Sequence, residues 1–237
     1  MASGEADAAP DVKRRALYGR SKGKTLRAYH AQLVRDFLPK VELEGVSLED
    51  PSRPFGFTPR EVHLEIGFGG GEHLAQRARE TPDIAFLGCE PFINGVAKLL
   101  AVMDGEGLAN IRIRAGDARE VLEALPPASL QRIYVLYPDP WPKRRQWKRR
   151  FIAEETIAAF ARVLDIGGEV RFATDIDGYA GWTLARFLAA KEFEWLAMAA
   201  DDWRRPWAGW TPTRYEAKAR IEGRPSAYLT FRRRPPT

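Results

Sequence analysis

The sequence predicts an α/β fold, a mostly parallel seven-stranded sheet with helices on both faces, and three observations carry that reading. From Glu61 onward, short apolar runs of strand length alternate with longer amphipathic runs, and parallel strands need such crossover helices between them. The first apolar run, VHLEI, leads directly into a glycine cluster that opens a helix, the punctuation of a strand–turn–helix unit. The length of 237 residues with 45% hydrophobic and 29% charged side chains suits one such domain with a short extension.

Each element is read from pattern and punctuation. Residues 1–12, MASGEADAAPDV, have no apolar run and are expected to be a disordered tail. Residues 13–24, KRRALYGRSKGK, form an expected basic arm. A helix is predicted from Thr25 to Leu38, with Leu26, Tyr29, Leu33 and Phe37 on one face and Pro39 as its stop. A linker containing DPSRPFGFTP completes residues 25–60, and residues 61–237 make the main domain. VHLEI is the first strand and GGGEHLAQRARE its helix. IAFLGCE, then PFINGVAKLLAVMDGEG, form the second pair, and NIRIRAG, then DAREVLEALP, the third. LQRIYVLYP is the fourth strand, ending in PDPWP. A long helix is predicted from Trp147 to Leu164, with Ala153, Ile157, Phe160, Ala161 and Leu164 on its core face. IGGEVRFATD and a helix from Tyr179 to Lys191 follow, and FEWLAMAA and SAYLTFRRR close the sheet. There is no internal repeat.

Composition excludes several classes. The single cysteine, Cys89, permits no internal disulfide and points to a reducing, cytoplasmic setting. It sits at a strand end with no histidine near in sequence, so it is read as a packed thiol. The N-terminal residues lack the pattern of a signal or transit peptide, and no run is long enough for a membrane span. His30, His63 and His73 are scattered and are read as ordinary surface or half-buried residues, with no metal site expected. Lys and Arg total 37 against 32 Asp and Glu, a net charge of +5, so the placement of charge matters more than its sum.

The glycine turn reads as a nucleotide-type cofactor site. Gly67, Gly69, Gly70 and Gly71 follow the first strand in LEIGFGGGEH and let backbone approach a ligand closely. Glu90 ends the second strand, where a carboxylate accepts ribose hydroxyls, and Asp117 ends the third, within reach of an adenine amine. Glu65, just ahead of the glycines, would repel a pyrophosphate, whereas it suits the cationic end of S-adenosylmethionine. Three strand-end carboxylates therefore favour S-adenosylmethionine over a dinucleotide.

The fourth strand ends in YPDPWPKRRQWKRRF. Asp139 falls at the carboxyl edge of the sheet, where open α/β folds bind ligands. Pro138, Pro140 and Pro142 stiffen the loop. The basic run from Lys143 to Arg150 begins at that edge beside Trp141 and Trp147, a placement that favours nucleic acid over a merely solvated face.

With LEIGFGGG, FLGCEP, GDA, PDPWPKRRQWKRR, FATDIDGYA and TRYE, the sequence resembles the bacterial tRNA (guanine-N7-)-methyltransferase family from about residue 18 to its C-terminus. The PDPW-K-x-R-x-x-K-R-R pattern is the most specific of these. The resemblance implies a Rossmann-like class I S-adenosylmethionine-dependent methyltransferase fold. It further implies methyl transfer to N7 of the variable-loop guanine of tRNA, position 46. It implies that Glu65, Glu90, Asp117 and Asp139 line the S-adenosylmethionine site together with the Gly67 and Gly69 turn, and that Asp139 is catalytic. Lys143, Asp175, Thr213, Arg214, Tyr215 and Glu216 would meet the substrate. Arg145, Gln146, Trp147, Lys148, Arg149 and Arg150 would touch tRNA. The expected partner is tRNA, with no membrane and no obligate protein partner, as monomer or homodimer.

Bland readings stand beside these. Asp175 and Asp177 can cap the following helix, TRYE can be a surface turn with Glu216 paired to an arginine, and Trp203, Trp207 and Trp210 read as packing residues of a flap. Two other functions compete. One is transfer to an exocyclic amine, which calls for an Asn/Asp-Pro-Pro-aromatic loop where this sequence has Asp-Pro-Trp. The other is a non-catalytic RNA-binding module, against which intact Glu65, Glu90 and Asp139 argue.

Overall fold

Strand β1 (Glu61–Ile66) lies inside the sheet, third from one edge, with the next two β-α units built out on one side of it and the later ones on the other. The computed structural model describes residues 18–19 and 23–236, so the tail and most of the basic arm expected over 1–24 lie outside the described residues. Helices α1 (Ala28–Asp36) and α2 (Leu38–Val41) precede β1, and α3 (Glu72–Glu80) follows it. Then come β2 (Ile84–Cys89), α4 (Ile93–Glu106), β3 (Ile111–Arg114), α5 (Ala118–Ala124) and β4 (Leu130–Leu136). A 3-10 segment, Arg144–Arg149, leads to α6 (Glu154–Val163), β5 (Leu164–Thr174) and α7 (Asp177–Ala189). The chain closes with β6 (Phe193–Trp195), α8 (Asp201–Arg204), α9 (Arg214–Ile221) and β7 (Ala227–Arg233).

The sheet has seven strands in the order β3-β2-β1-β4-β5-β7-β6. All pairings from β3 to β5 are parallel, and β7 runs antiparallel to both β5 and β6. The strand order reverses between β1 and β4, so their carboxyl ends open a crevice at the switch point, where ligands bind in this class of sheet. One face packs Leu122, Ile157, Phe160 and Phe187 of α5, α6 and α7 against Leu64, Ile133, Val135 and Phe172. The other packs Leu33 of α1, Leu74 of α3 and Val96, Leu99 and Leu100 of α4 against Phe86 and Ile113. The linker joins the domain: the Leu43 N–H donates to the Ile113 carbonyl at 2.7 Å, and Leu48 and Phe55 are buried.

Several expectations are corrected. Pro39 does not stop the first helix. It sits in the opening turn of α2, where its missing N–H costs nothing, and on the predicted face Leu33 is buried while Tyr29 is exposed and donates to Asp104. The long helix from Trp147 to Leu164 is two elements. The 3-10 segment ends at Arg149, and α6 starts only at Glu154, where Thr156 accepts the Ala153 N–H. A cationic stretch is a poor first turn beside a helix's positive end, whereas Glu154 and Glu155 complement it. The FEWLAMAA strand stops at Trp195, because Asp202 takes the Met198 and Ala199 N–H groups. His63 and His73 are not near the surface but fully enclosed, while His30 is half-buried.

Candidate active site

The carboxyl ends of β1, β2, β3 and β4 surround a cavity of about 630 Å³, a volume within the range of small-ligand sites. The floor is the glycine turn. Gly67 has φ +73 and a side chain there would meet nothing, so its backbone faces open space that a ligand can fill. The turn is braced from the α4 side, where a Cβ on Gly95 would collide with the Gly69 carbonyl.

Glu90 holds the turn. Its two carboxylate oxygens accept the Gly69 N–H at 2.7 Å and the Phe92 N–H at 2.8 Å. Each oxygen has a further lone pair, so the group can also accept hydroxyls from the cavity. Burial raises its pKa, the two backbone donors oppose that, and the neighbouring Asp139 charge adds to the rise. Asp117 caps α5 by accepting the Arg119 N–H at 3.0 Å and also lines the cavity. Cys89 is buried in the wall, and burial drives its thiol pKa far up, as expected of a packed thiol.

Asp139 stands at the cavity mouth with no hydrogen bond or ion pair to a described residue, and the protein atoms crowding its carboxylate raise its pKa. Its loop is strained on both sides. Tyr137 and Trp141 are non-glycine residues at φ +50 and +43, conformations that cost of order 1–3 kcal/mol each and persist only when surroundings impose them. The constraints are visible. The Tyr137 N–H donates to Ala173 at 2.7 Å and its hydroxyl to Ser226 at 2.9 Å. Arg150 Nε donates to the Pro140 carbonyl at 2.9 Å, and Trp147 Nε1 to the Pro142 carbonyl at 3.3 Å.

A family model described as a putative methyltransferase matches residues 59–229. The tRNA (guanine-N(7)-)-methyltransferase of Bradyrhizobium diazoefficiens is 51% identical over 235 residues, covering 98% of this chain and all of that one. The chain belongs to the tRNA (guanine-N7-)-methyltransferase family. Relatives of the same description from Chelativorans sp. (48% identity, 94% of this chain and 97% of theirs) and Agrobacterium fabrum (51%, 92% and 95%) agree. Among solved structures, the 16S rRNA methyltransferase KamB aligns with TM-score 0.54 at 17% identity over 75% of this chain and 90% of its own. A precorrin-6y C5,15-methyltransferase from Geobacter metallireducens aligns at 0.51 and 13% over 76% and 84%. At those identities the likeness is one of fold, and that fold is the Rossmann-like one expected from the sequence.

Against the family's expected site, Gly67, Gly69, Glu90, Asp117 and Asp139 gather around the cavity, as do Arg149, Arg214 and Tyr215. Glu65 does not line it. Its carboxylate is buried behind the turn and bonded to His73 Nδ1 at 2.6 Å, because a strand alternates faces and Glu65 points to the α3 side, opposite to Ile66. Glu216 is fully buried, accepting from Trp210 Nε1 at 2.6 Å, Arg220 at 2.6 Å and the Tyr228 hydroxyl at 2.8 Å. Thr213 caps α9 through the Glu216 N–H. Asp175 pairs with Arg224 at 2.8 Å and is not the cap of α7, whose N-cap is Ile176. TRYE is therefore a helix start and not a surface turn.

The basic run divides. Lys143, Arg144, Arg145 and Lys148 are exposed, and Gln146 and Trp147 are half-buried. Arg149 lies over the rings of Tyr18 (5.1 Å) and Trp141 (5.0 Å). Arg150 is only 5% exposed, which corrects its expected place on the RNA-facing surface. The flap tryptophans pack as the bland reading has it: Trp207 donates to Thr230 and both Trp207 and Trp210 meet Tyr228 edge-on. Sequence reasoning missed Tyr18, Gly19, Phe151 and Lys218 as lining residues. A signal existed for Lys218: Thr213-x-x-Glu216 is a helix-start pattern, which puts Arg214 and Lys218 one turn apart on one face.

Proposed function

We propose that the protein methylates N7 of a guanine in tRNA, with S-adenosylmethionine as donor, and that the target is the variable-loop guanine at position 46. The observation that carries the reading is the joining, in one cavity, of an open glycine turn, the Glu90 and Asp117 carboxylates and an Asp139 without a partner among the described residues, beside exposed basic residues. These residues fit the donor. Glu90 has spare lone pairs for ribose hydroxyls, Asp117 lines the same cavity with lone pairs that can accept an adenine amine, and Gly67 leaves room for the chain between them. When bound there, S-adenosylmethionine supplies an electrophilic methyl group on a positively charged sulfur.

Guanine N7 already offers an in-plane lone pair, so no residue has to remove a proton before attack. The work left to the protein is orientation and stabilisation of positive charge on the ring. Asp139 can accept from the guanine N1–H and N2 amine or offset that charge. The strained, pinned loop fixes its position. Tyr215 and Trp141 offer ring faces at the mouth, while Arg214, Arg149 and Lys218 supply positive charge around it. Lys143, Arg145 and Lys148 point into solvent where a phosphate backbone can approach. Glu65 and Glu216 are buried and bonded to neighbours and so support the site from behind, whereas Asp175, paired with Arg224 through one oxygen and partly exposed, keeps lone pairs with which to meet the substrate.

The test is site mapping. A tRNA transcript with guanine at position 46, incubated with protein and donor, then reduced and cleaved with aniline, should break at that position, and a transcript with adenine there should not. Cleavage at another guanine would overturn the position, and no cleavage would overturn the reaction.

A further inference from the structure

Arg150 belongs to the basic run that the family resemblance assigns to tRNA, yet it is turned inward and only 5% exposed. Its guanidinium lies between three rings, 5.1 Å from Trp147 and 4.8 Å from both Tyr179 and Trp182. Its Nε donates to the Pro140 carbonyl at 2.9 Å and its Nη1 to the Gly178 carbonyl at 3.3 Å. Burial lowers its pKa, the mark of a cation withdrawn from water. A phosphate cannot reach this group without dismantling the stack.

The loop it touches needs such a support. Pro138, Pro140 and Pro142 have no N–H to donate, so the segment cannot hold itself by a backbone ladder. Trp141 sits at φ +43 between two carbonyls, Pro140 and Pro142, and these accept from Arg150 and Trp147 respectively. Asp139 precedes the Arg150-bound residue directly. Through Gly178 the same guanidinium ties the loop to the first turn of α7.

We infer that Arg150 is a positioning residue, the strut that holds the Asp139–Trp141 loop in its strained form, with Trp147 as its second prop, and that neither serves as a tRNA phosphate contact. The kinetic part of the test rests on the proposed methyl transfer; a ligand-free measurement does not. Arg150→Lys keeps the charge but loses the planar fork and the ring stack. In protein labelled with 5-fluorotryptophan, the Trp141 fluorine signal, assigned with Trp141→Phe, should broaden or split in Arg150→Lys. The kcat at saturating tRNA should fall about 10- to 100-fold, the scale of a small misplacement of a reacting group. In Arg150→Gln, which removes the charge, the slope of log K for tRNA against log salt should stay at its wild-type value, whereas the exposed control Arg145→Ala should reduce it by about 1.

A slope reduced by about 1 in Arg150→Gln with kcat retained, or an unchanged Trp141 signal in Arg150→Lys, would overturn the inference. Should Arg150→Lys fail to fold, Trp147→Phe decides: it keeps a ring wall but removes the bond to Pro142, and must perturb the Trp141 signal and lower kcat at constant slope. A wild-type signal and kcat there would overturn the strut. Wild-type protein that transfers no methyl group would count against the proposed function alone, since the fluorine spectra still report on the loop.

Discussion

Replacing Glu90 by alanine removes the group that links the glycine turn to the proposed cofactor cavity. In the structure its oxygens accept from the buried Gly69 N–H at 2.7 Å and from Phe92 at 2.8 Å. Leaving such a donor unsatisfied costs about 1–3 kcal/mol, and a hydrogen bond to a charged acceptor contributes about 1.5–3 kcal/mol. Loss of one ribose hydroxyl bond should therefore raise the Kd for S-adenosylmethionine by about 10- to 150-fold. The Tm should fall as well, while tRNA affinity stays near wild type. Glu90→Gln keeps the shape but sets an amide N–H₂ against a backbone donor, so its effect should be intermediate. The pH dependence follows from the raised pKa of Glu90. Protonation makes one oxygen a donor and weakens its acceptance of hydroxyls, so affinity should decline, as pH is lowered, from a higher pH than an ordinary glutamate would give, and Glu90→Gln should flatten that decline. Isothermal titration calorimetry across pH, with circular dichroism to confirm folding, measures all of this. An unchanged Kd in folded Glu90→Ala would refute the placement of the cofactor on this carboxylate.

Asp139→Asn should preserve the circular dichroism spectrum but lower kcat by about 100-fold or more, since it removes the charge aimed at the reacting ring; single-turnover methylation near the wild-type rate would contradict that. Arg145→Ala and Lys148→Ala, both exposed, should each reduce the salt slope of tRNA binding by about 1 and leave cofactor affinity unchanged in calorimetry. Burial lowers the pKa of His63 to about 4, and its neighbour Glu61 is lowered too. A depressed folded pKa means that the unfolded chain binds more protons below the ordinary histidine range. Stability should thus be full above about pH 6.5 and lose up to about 3 kcal/mol as pH falls to 4. His63→Phe should flatten this curve in urea titrations, and an equally steep loss in that variant would assign the effect elsewhere.

The alternation of strands and helices was legible because each unit is punctuated locally: glycine after β1, Asp117 at the start of α5, and apolar runs of the right length. The cavity floor was legible for the same reason, since Gly67, Glu90 and Asp139 occupy strand ends and strand ends converge in this topology. Which way a side chain turns was not. Arg150 looks like its neighbours in a run of cations; its burial depends on Tyr179 and Trp182, supplied by α7 from some thirty residues away. Glu216 does pair with a nearby arginine, Arg220, as one reading of the sequence had it, but its burial was not legible because Trp210 and Tyr228 come from the flap and β7. Glu65 was placed by its neighbourhood to the glycines, whereas the two-residue period of the strand sends it toward His73. The break before α6 was hidden because apolar spacing continues through it, although the change from cationic to acidic residues at Glu154 marked the true start.

The central claim is that this cavity delivers a methyl group to guanine N7 in tRNA. Its most direct test is mass spectrometry of nucleosides from bulk tRNA incubated with the protein and methyl-labelled S-adenosylmethionine. Wild-type protein should yield labelled 7-methylguanosine as the labelled product, and Asp139→Asn should yield almost none. Label on an exocyclic amine of adenine or guanine, or no labelled nucleoside from folded wild-type protein that binds the donor, would contradict it.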